Sequence, residues 1–367
     1  MTLLQVLQPG DESGDPREAT TFDEMLVARK NKSYTPSTVI KGLLGPLPVT
    51  VVNYESEDVA QCLIAALNQK RFDIVQMETS NLFSYLDIIR SAPGNPSVLL
   101  DWHNIDSELM FRYASEAKSF AKRAVAKRTA DLLVKLESRL LELCDAHTVV
   151  SERDKAELLK RNPNAKISVV PNGVDSSKFA CSETTLGGSN LLFVGSMDYH
   201  ANVDAVLWFT REIWPALSQR FPELEFTVVG RSPGKDIQML ASDKIRITGT
   251  VDDVRPFYAN AFAVIVPLRI GSGTRLKILE AMSMGVPVIS TSLGAEGLAV
   301  TDEKDILLAD SEQAMADAVG RLLSDLAVSR RLANAARKLV SDHYDWARIG
   351  DLLFQAHCEL TETSTAR

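Results

Sequence analysis

Along the chain, short apolar runs rich in β-branched residues alternate with longer stretches whose apolar positions recur at helical spacing. Runs at Leu3 to Leu7, Val49 to Asn53, Asp73 to Met77, Ser97 to Asp101, Ala146 to Val150 and Ile167 to Val170 predict a first series of strands. A second series follows at Asn190 to Val194, Glu225 to Val229, Ile245 to Thr248, Phe262 to Val266, Pro287 to Ser290 and Ile306 to Leu308. Strands separated by helical stretches predict parallel sheets with crossover helices, so the chain reads as α/β with two such domains in tandem. The polar stretch from Val174 to Ser189 is the expected linker. Glu116 to Cys144, Ala314 to Leu326, Ser329 to Val340 and Ala347 to Cys358 carry helical spacing, with His343-Tyr-Asp-Trp346 as an interruption. Ligands of open parallel sheets bind beyond the carboxyl ends of the strands, which places the expected cleft between the two domains.

Composition narrows the classes. With 367 residues and 45% hydrophobic content the chain can bury a large core in two domains of ordinary size. Its net charge of −8 argues against a general nucleic-acid binder, so any anion site must be local. Cys62, Cys144, Cys181 and Cys358 lack metal-ligand spacing, and the five histidines form no paired motif. Reduced thiols in a cytoplasmic protein are the expectation. No apolar run approaches the roughly 18 to 20 residues that span a bilayer.

The segment from Pro267 to Val286 concentrates the candidate chemistry. Gly271 and Gly273 permit a tight turn and close approach to a ligand, and a helix starting near Thr274 offers unpaired N–H groups and the positive end of its dipole. Further along that helix, Glu280 can accept hydrogen bonds from vicinal hydroxyls such as a ribose presents. The combination suits a nucleoside diphosphate.

From about Ser97 to Leu298 the chain resembles the family 4 retaining glycosyltransferases, two-domain GT-B enzymes, and especially the sugar transferases of bacterial exopolysaccharide assembly. The resemblance rests on separated motifs: Asp101-Trp-His-Asn-Ile-Asp-Ser-Glu108, Val149-Val-Ser-Glu-Arg-Asp154, Pro171-Asn-Gly-Val-Asp175, Phe193-Val-Gly-Ser-Met-Asp-Tyr199, Val228-Val-Gly-Arg231, Gly249-Thr-Val-Asp-Asp-Val-Arg255 and Gly271-Ser-Gly-Thr-Arg-Leu-Lys-Ile-Leu-Glu280. It implies two Rossmann-like domains facing a central cleft. The expected division is 1–175 on the acceptor side, 176–345 on the donor side, and a C-terminal helix and tail at 346–367 returning to the first domain.

The resemblance also implies roles. Glu280 would bind the donor ribose, Gly195, Ser196, Gly230 and the amides at Gly273 and Thr274 the diphosphate, and the backbone near Val251 the nucleobase. His103 would face the donor sugar as a neutral imidazole, bonding a hydroxyl or shielding charge at the anomeric carbon. Two departures stand out. Ser196-Met-Asp-Tyr-His-Ala-Asn202 lacks the arginine and lysine that many members carry there, and Arg275 and Lys277 are the proposed replacements. Residues two apart on a helix point in different directions, so one of the pair is expected to be a solvated charge, with Arg275 the favoured cation. The first of the family's two glutamates is replaced by Ser272, which leaves its contacts with donor-sugar hydroxyls to Ser272 or to backbone amides. At the other end, Met1-Thr-Leu-Leu resembles the family's second strand, which predicts a missing first strand, loop and helix.

The expected function is retaining transfer of a hexosyl group from a nucleotide sugar to a glycan or lipid-linked glycan, in cell-surface polysaccharide synthesis. Neither metal nor cofactor is expected. The alternatives are a non-catalytic nucleotide-sugar-binding subunit and a nucleotide-sugar epimerase. Lys118, Lys122, Arg123, Lys127, Arg128, Lys135 and Arg139 on one long helix raise peripheral contact with an anionic membrane, although at 100 degrees per residue they spread around the helix rather than form one stripe.

Overall fold

The computed structural model describes residues 1–8, 11, 21–30, 34–117, 119–180, 188–271, 273 and 275–365. The chain packs as two units, Met1–Val170 with Leu353–Arg367 and Pro171–Leu352. The first holds strands β1 (Thr2–Leu7), β2 (Glu24–Arg29), β3 (Ile74–Met77), β4 (Ser97–Trp102), β5 (Ala146–Val149) and β6 (Ile167–Val169). The second holds β7 (Asn190–Val194), β8 (Glu225–Val229), β9 (Ile245–Ile247), β10 (Ala263–Val266), β11 (Val288–Ser290) and β12 (Leu307–Leu308). Among the described residues every strand pairing is parallel.

The first unit forms a sheet in the order β3-β4-β5-β6 and a separate β1-β2 pair. Val98, Leu100, Leu133, Leu140, Val149 and Leu158 are its buried centre. The second unit forms a six-stranded sheet in the order β12-β11-β10-β7-β8-β9. Its central strands β7 and β10 are runs of Leu, Phe, Val, Ile and Ala buried on both faces, as a parallel sheet covered by helices requires. The chain leaves β7 toward β8 on one side and returns to place β10 on the other. The crevice beyond the carboxyl ends of β7 and β10 is therefore a topological switch point, where α/β sheets bind ligands.

Two elements depart from the expectation. Val49 to Asn53 is not a strand: Val49–Val52 is a short helix, with Pro48 as its N-cap residue. It packs closely on the preceding helix, Pro36–Leu44, where a side chain at Gly42 would lie 2.5 Å from the Val49 Cα. This tertiary contact overrides the β preference of four β-branched residues in a row. Conversely, Glu24–Arg29 is a strand, paired along its whole length with β1. The interruption at His343 to Trp346 is a backbone joint, in which Val174 N donates to Tyr344 O and Trp346 N to Val174 O, at 2.8 and 3.2 Å.

Candidate functional site

In the second unit, Val194 and Val229 are register partners, and Gly195 and Gly230 are the residues that follow them. Both glycines answer to close approach. A Cβ on Gly230 would stand 1.8 Å from the Gly195 carbonyl oxygen, and one on Gly195 would stand 2.7 Å from Lys277 Nζ and 2.8 Å from Asn202 Nδ2. Asn202 joins the pieces: its Nδ2 donates to the Ser196 carbonyl at 2.8 Å, and its Oδ1 accepts from Lys277 Nζ at 2.7 Å. The Lys277 ammonium also lies 4.4 Å from the centre of the Phe193 ring. Burial, reinforced by the Arg275 charge, pulls this ammonium down to about 7.

The loop after β10 reaches the same crevice. Gly271 and Gly273 take φ of 104° and 90°, a region open to glycine, and a Cβ on Gly271 would lie 2.6 Å from Tyr199 Oη. The helix Leu276–Ser283 then begins, later than the expected Thr274, with Arg275 as its N-cap residue. Glu280 is half-buried on this helix, and Tyr258 Oη donates to its Oε2 at 2.8 Å. Burial raises the Glu280 carboxyl above its ordinary range, opposed by the Tyr258 hydrogen bond and the Lys277 charge. Burial next to Glu280 raises the Tyr258 phenol, which keeps it a donor.

In the first unit, Met77 and Leu100 are paired, and Glu78 and Asp101 are the residues that follow. His103 stands just past β4, with Nε2 3.5 Å from Glu78 Oε2 and Nδ1 3.6 Å from Asp101 Oδ2. Both carboxylates are held from behind. Thr148 Oγ1 donates to Asp101 Oδ1 at 2.6 Å, and Gln76 Nε2 donates to Glu78 Oε1 at 2.8 Å. Gln76 Oε1 in turn lies 2.7 Å from Nε2 of His357, on the helix Trp346–Thr365. Asp106 receives the Ser80 hydroxyl at 2.7 Å. Glu78, Asp101 and Asp106 outweigh partial burial and raise the imidazole above its usual range. The two flanking carboxylates favour the protonated ring over the neutral imidazole expected from the sequence. The Glu78, Asp101 and His103 ligand atoms fall within 4.8 Å of one another, close enough to hold a metal ion. In this structure the ring lies between the acids with one nitrogen toward each.

Comparison with known proteins follows this division. Residues 188–325 match the sequence family described as Glycosyl transferases group 1, and residues 28–178 match Glycosyltransferase Family 4. Together the two matches cover most of the chain, one falling largely in each unit. Among curated relatives, glycogen synthase of Mycobacterium tuberculosis is 27% identical over 206 residues, covering 53% of this chain and 48% of that protein. The chain spans about half the length of the first curated relatives it matches. Among solved structures, sucrose-phosphate synthase from Thermosynechococcus elongatus superposes with a TM-score of 0.72 at 18% identity, over 99% of this chain and 89% of that one. An Anabaena protein, HepE, solved with UDP and glucose, superposes with a TM-score of 0.63 at 15% identity, over 91% and 86% of the two chains. The two parallel-sheet units are those of the GT-B fold.

Gly195, Ser196, Gly230, Lys277 and Glu280 gather around the carboxyl ends of β7, β8 and β10. Ser272 and Thr274 lie outside the described residues. Val251 is half-buried against the core, in a turn joined to the site where Gly230 N donates to Gly249 O at 3.2 Å. Neither cation of the helix start is a solvated charge: Arg275 is only 5% exposed, and Lys277 points its ammonium at the glycine turn. Sequence reasoning assigned no role to Asn202, Tyr258, Glu78 or Arg231, the last of which brings Nε to 3.1 Å from Ser196 Oγ. The position of Arg231 next to Gly230 was the one available signal.

Proposed function

We propose that the chain transfers a hexosyl group from a nucleoside-diphosphate sugar to a hydroxyl of a glycan or lipid-linked glycan, with retention of configuration. The observation that carries this reading is the convergence of a glycine turn, the Lys277 ammonium and the Glu280 carboxylate at the switch point of the second sheet. Glu280, fixed by Tyr258, is suited to accept from ribose hydroxyls. Gly195 leaves room for phosphate oxygens beside Lys277, and the UDP bound to HepE supports a nucleoside diphosphate as the leaving group. Lys277, Arg275 and the helix start would stabilise that leaving group without a metal. The departing phosphate would take the acceptor proton on the face it leaves. His103, held by Glu78 and Asp101, would donate a hydrogen bond to a substrate hydroxyl.

A role in cell-surface polysaccharide synthesis at the cytoplasmic side of a membrane completes the proposal. Among the described residues, no helix is long and apolar enough to cross a membrane. On the helix Phe120–Leu143, Arg128 donates to the Leu43 carbonyl and Arg139 lies over the Phe83 ring, while Lys122, Lys127 and Lys135 are exposed and Phe120 is 83% exposed. Exposed lysines and an exposed aromatic on one helix suit peripheral contact with anionic lipid. Liposome co-sedimentation at low salt checks this part, and no sedimentation removes it.

The transfer reading is tested by incubating the purified chain with a panel of nucleoside-diphosphate sugars and glycan acceptors, following nucleotide release and the anomeric configuration of the product. Acceptor-dependent release with retention is expected. Donor binding without release would favour a non-catalytic binding subunit, and acceptor-independent change of the donor sugar would favour an epimerase.

A further inference from the structure

The loop after β7, Ser196-Met-Asp-Tyr-His-Ala-Asn202, contains no lysine or arginine, and its acidic residue, Asp198, puts a negative charge where an anion is to bind. The structure supplies positive charge from elsewhere. Lys277 comes from the helix start to Asn202, at the far end of the loop. Arg231 comes from the residue after Gly230 to the near end, with Nε 3.1 Å from Ser196 Oγ and 3.0 Å from Asp198 Oδ2. Ser196 Oγ also lies 3.2 Å from Asp198 Oδ2 and accepts from Asp198 N at 3.3 Å, so the turn is organised around that guanidinium. The Arg231 carbonyl accepts from Met197 N at 3.0 Å, which fixes its backbone to the loop.

We propose that Arg231 is a second diphosphate-binding cation of this site and that Asp198 holds it until the donor binds, releasing it to the donor phosphate. The inference rests on the reading that this loop binds a nucleoside diphosphate. A diphosphate carries more than one negative charge, and a guanidinium remains charged at every working pH and can grip phosphate oxygens with two N–H groups. The Arg231 and Asp198 side chains are 68% and 54% exposed. An ion pair so exposed contributes little on its own, so exchanging carboxylate for phosphate costs little. Ser196 would be the pivot, its hydroxyl holding Nε while the guanidinium changes partner.

The test is calorimetric titration of the full chain with the nucleoside diphosphates UDP, GDP, ADP and TDP, and with the matching nucleosides as charge-free controls. Arg231→Gln should weaken diphosphate binding about tenfold and leave nucleoside binding unchanged. Arg231→Lys should recover part of the loss. Asp198→Asn should tighten diphosphate binding several-fold, and the gain should be smaller in the Arg231→Gln background, because part of it acts through Arg231 and the rest is the loss of a negative charge beside the anion. An Asp198→Asn variant that binds no tighter, or an Arg231→Gln variant that binds as the wild type does, overturns the proposal alone. A wild-type chain that binds no nucleoside diphosphate overturns the reading of the site with it.

Discussion

The two clusters occupy corresponding places, the carboxyl ends of parallel strands, and use charge in opposite senses. In the first unit, Glu78, Asp101 and Asp106 face one imidazole and favour its charged form. In the second, Arg275 and burial act on Lys277 and favour its neutral form. The sheets differ in the same way. The β3-β4-β5-β6 sheet runs in chain order, whereas the second sheet reverses direction between β7 and β10 and opens a crevice there. A cation already stabilised by its surroundings is suited to orienting a substrate. A cation held back from full charge gains most when an anion arrives, which is what a site for a diphosphate leaving group needs.

The strongest way to break the comparison is Gly230→Ala. Its Cβ would meet the Gly195 carbonyl, a backbone atom that cannot swing aside, so the variant should lose about 3 kcal/mol of stability in urea unfolding and abolish diphosphate binding. The His103 titration, followed by NMR, should survive in the folded protein. Glu280→Ala comes next: losing a charged acceptor for ribose hydroxyls should weaken donor binding by about 2 kcal/mol, and unchanged affinity would remove the ribose assignment. Tyr258→Phe should reproduce part of that loss, since it removes the 2.8 Å hydrogen bond that orients the carboxylate.

Proton linkage sharpens the contrast. The Lys277 ammonium lies below the ordinary lysine range, so the free protein loses this charge as pH rises through about 7. An anion favours the charged form, so diphosphate binding above pH 7 should take up a proton and weaken with rising pH. Calorimetry in buffers of different ionisation enthalpy measures the uptake, and Lys277→Arg should abolish it. The smallest expected effect is that of Glu78→Gln. His103 is raised by its carboxylates, so removing the largest contributor should move its titration to lower pH, while diphosphate affinity in the second unit stays the same. An unmoved His103 titration would show that Glu78 does not set its charge.

Much of the fold was legible because parallel strands buried on both faces are uninterrupted apolar runs, a signal that needs no partner to be read. Legibility failed where a neighbour decided the conformation. Val49 to Val52 has a strand's residues but is a helix packed against Gly42. Glu24 to Arg29 is a strand because β1 lies beside it. In the site, Gly271, Gly273 and Glu280 were proposed from residue type and spacing, because a glycine turn before a helix with a carboxylate on it is a local pattern, whereas Gly195 entered through the family resemblance.

By itself the sequence indicated most of the alternating strands and helices and the parallel α/β class, since each depends on residues close along the chain. Tertiary structure alone decided the strand order that opens the crevice and the pairing of Asn202 with Lys277. It also decided the approach of Arg231 to Ser196 and the two carboxylates around His103. Those partners lie 75, 35 and, for Glu78, 25 positions apart in sequence. Charge and hydrogen bonding act through space over a few ångströms, so their partners are set by how strands pair and helices cross over, which spacing along the chain does not encode.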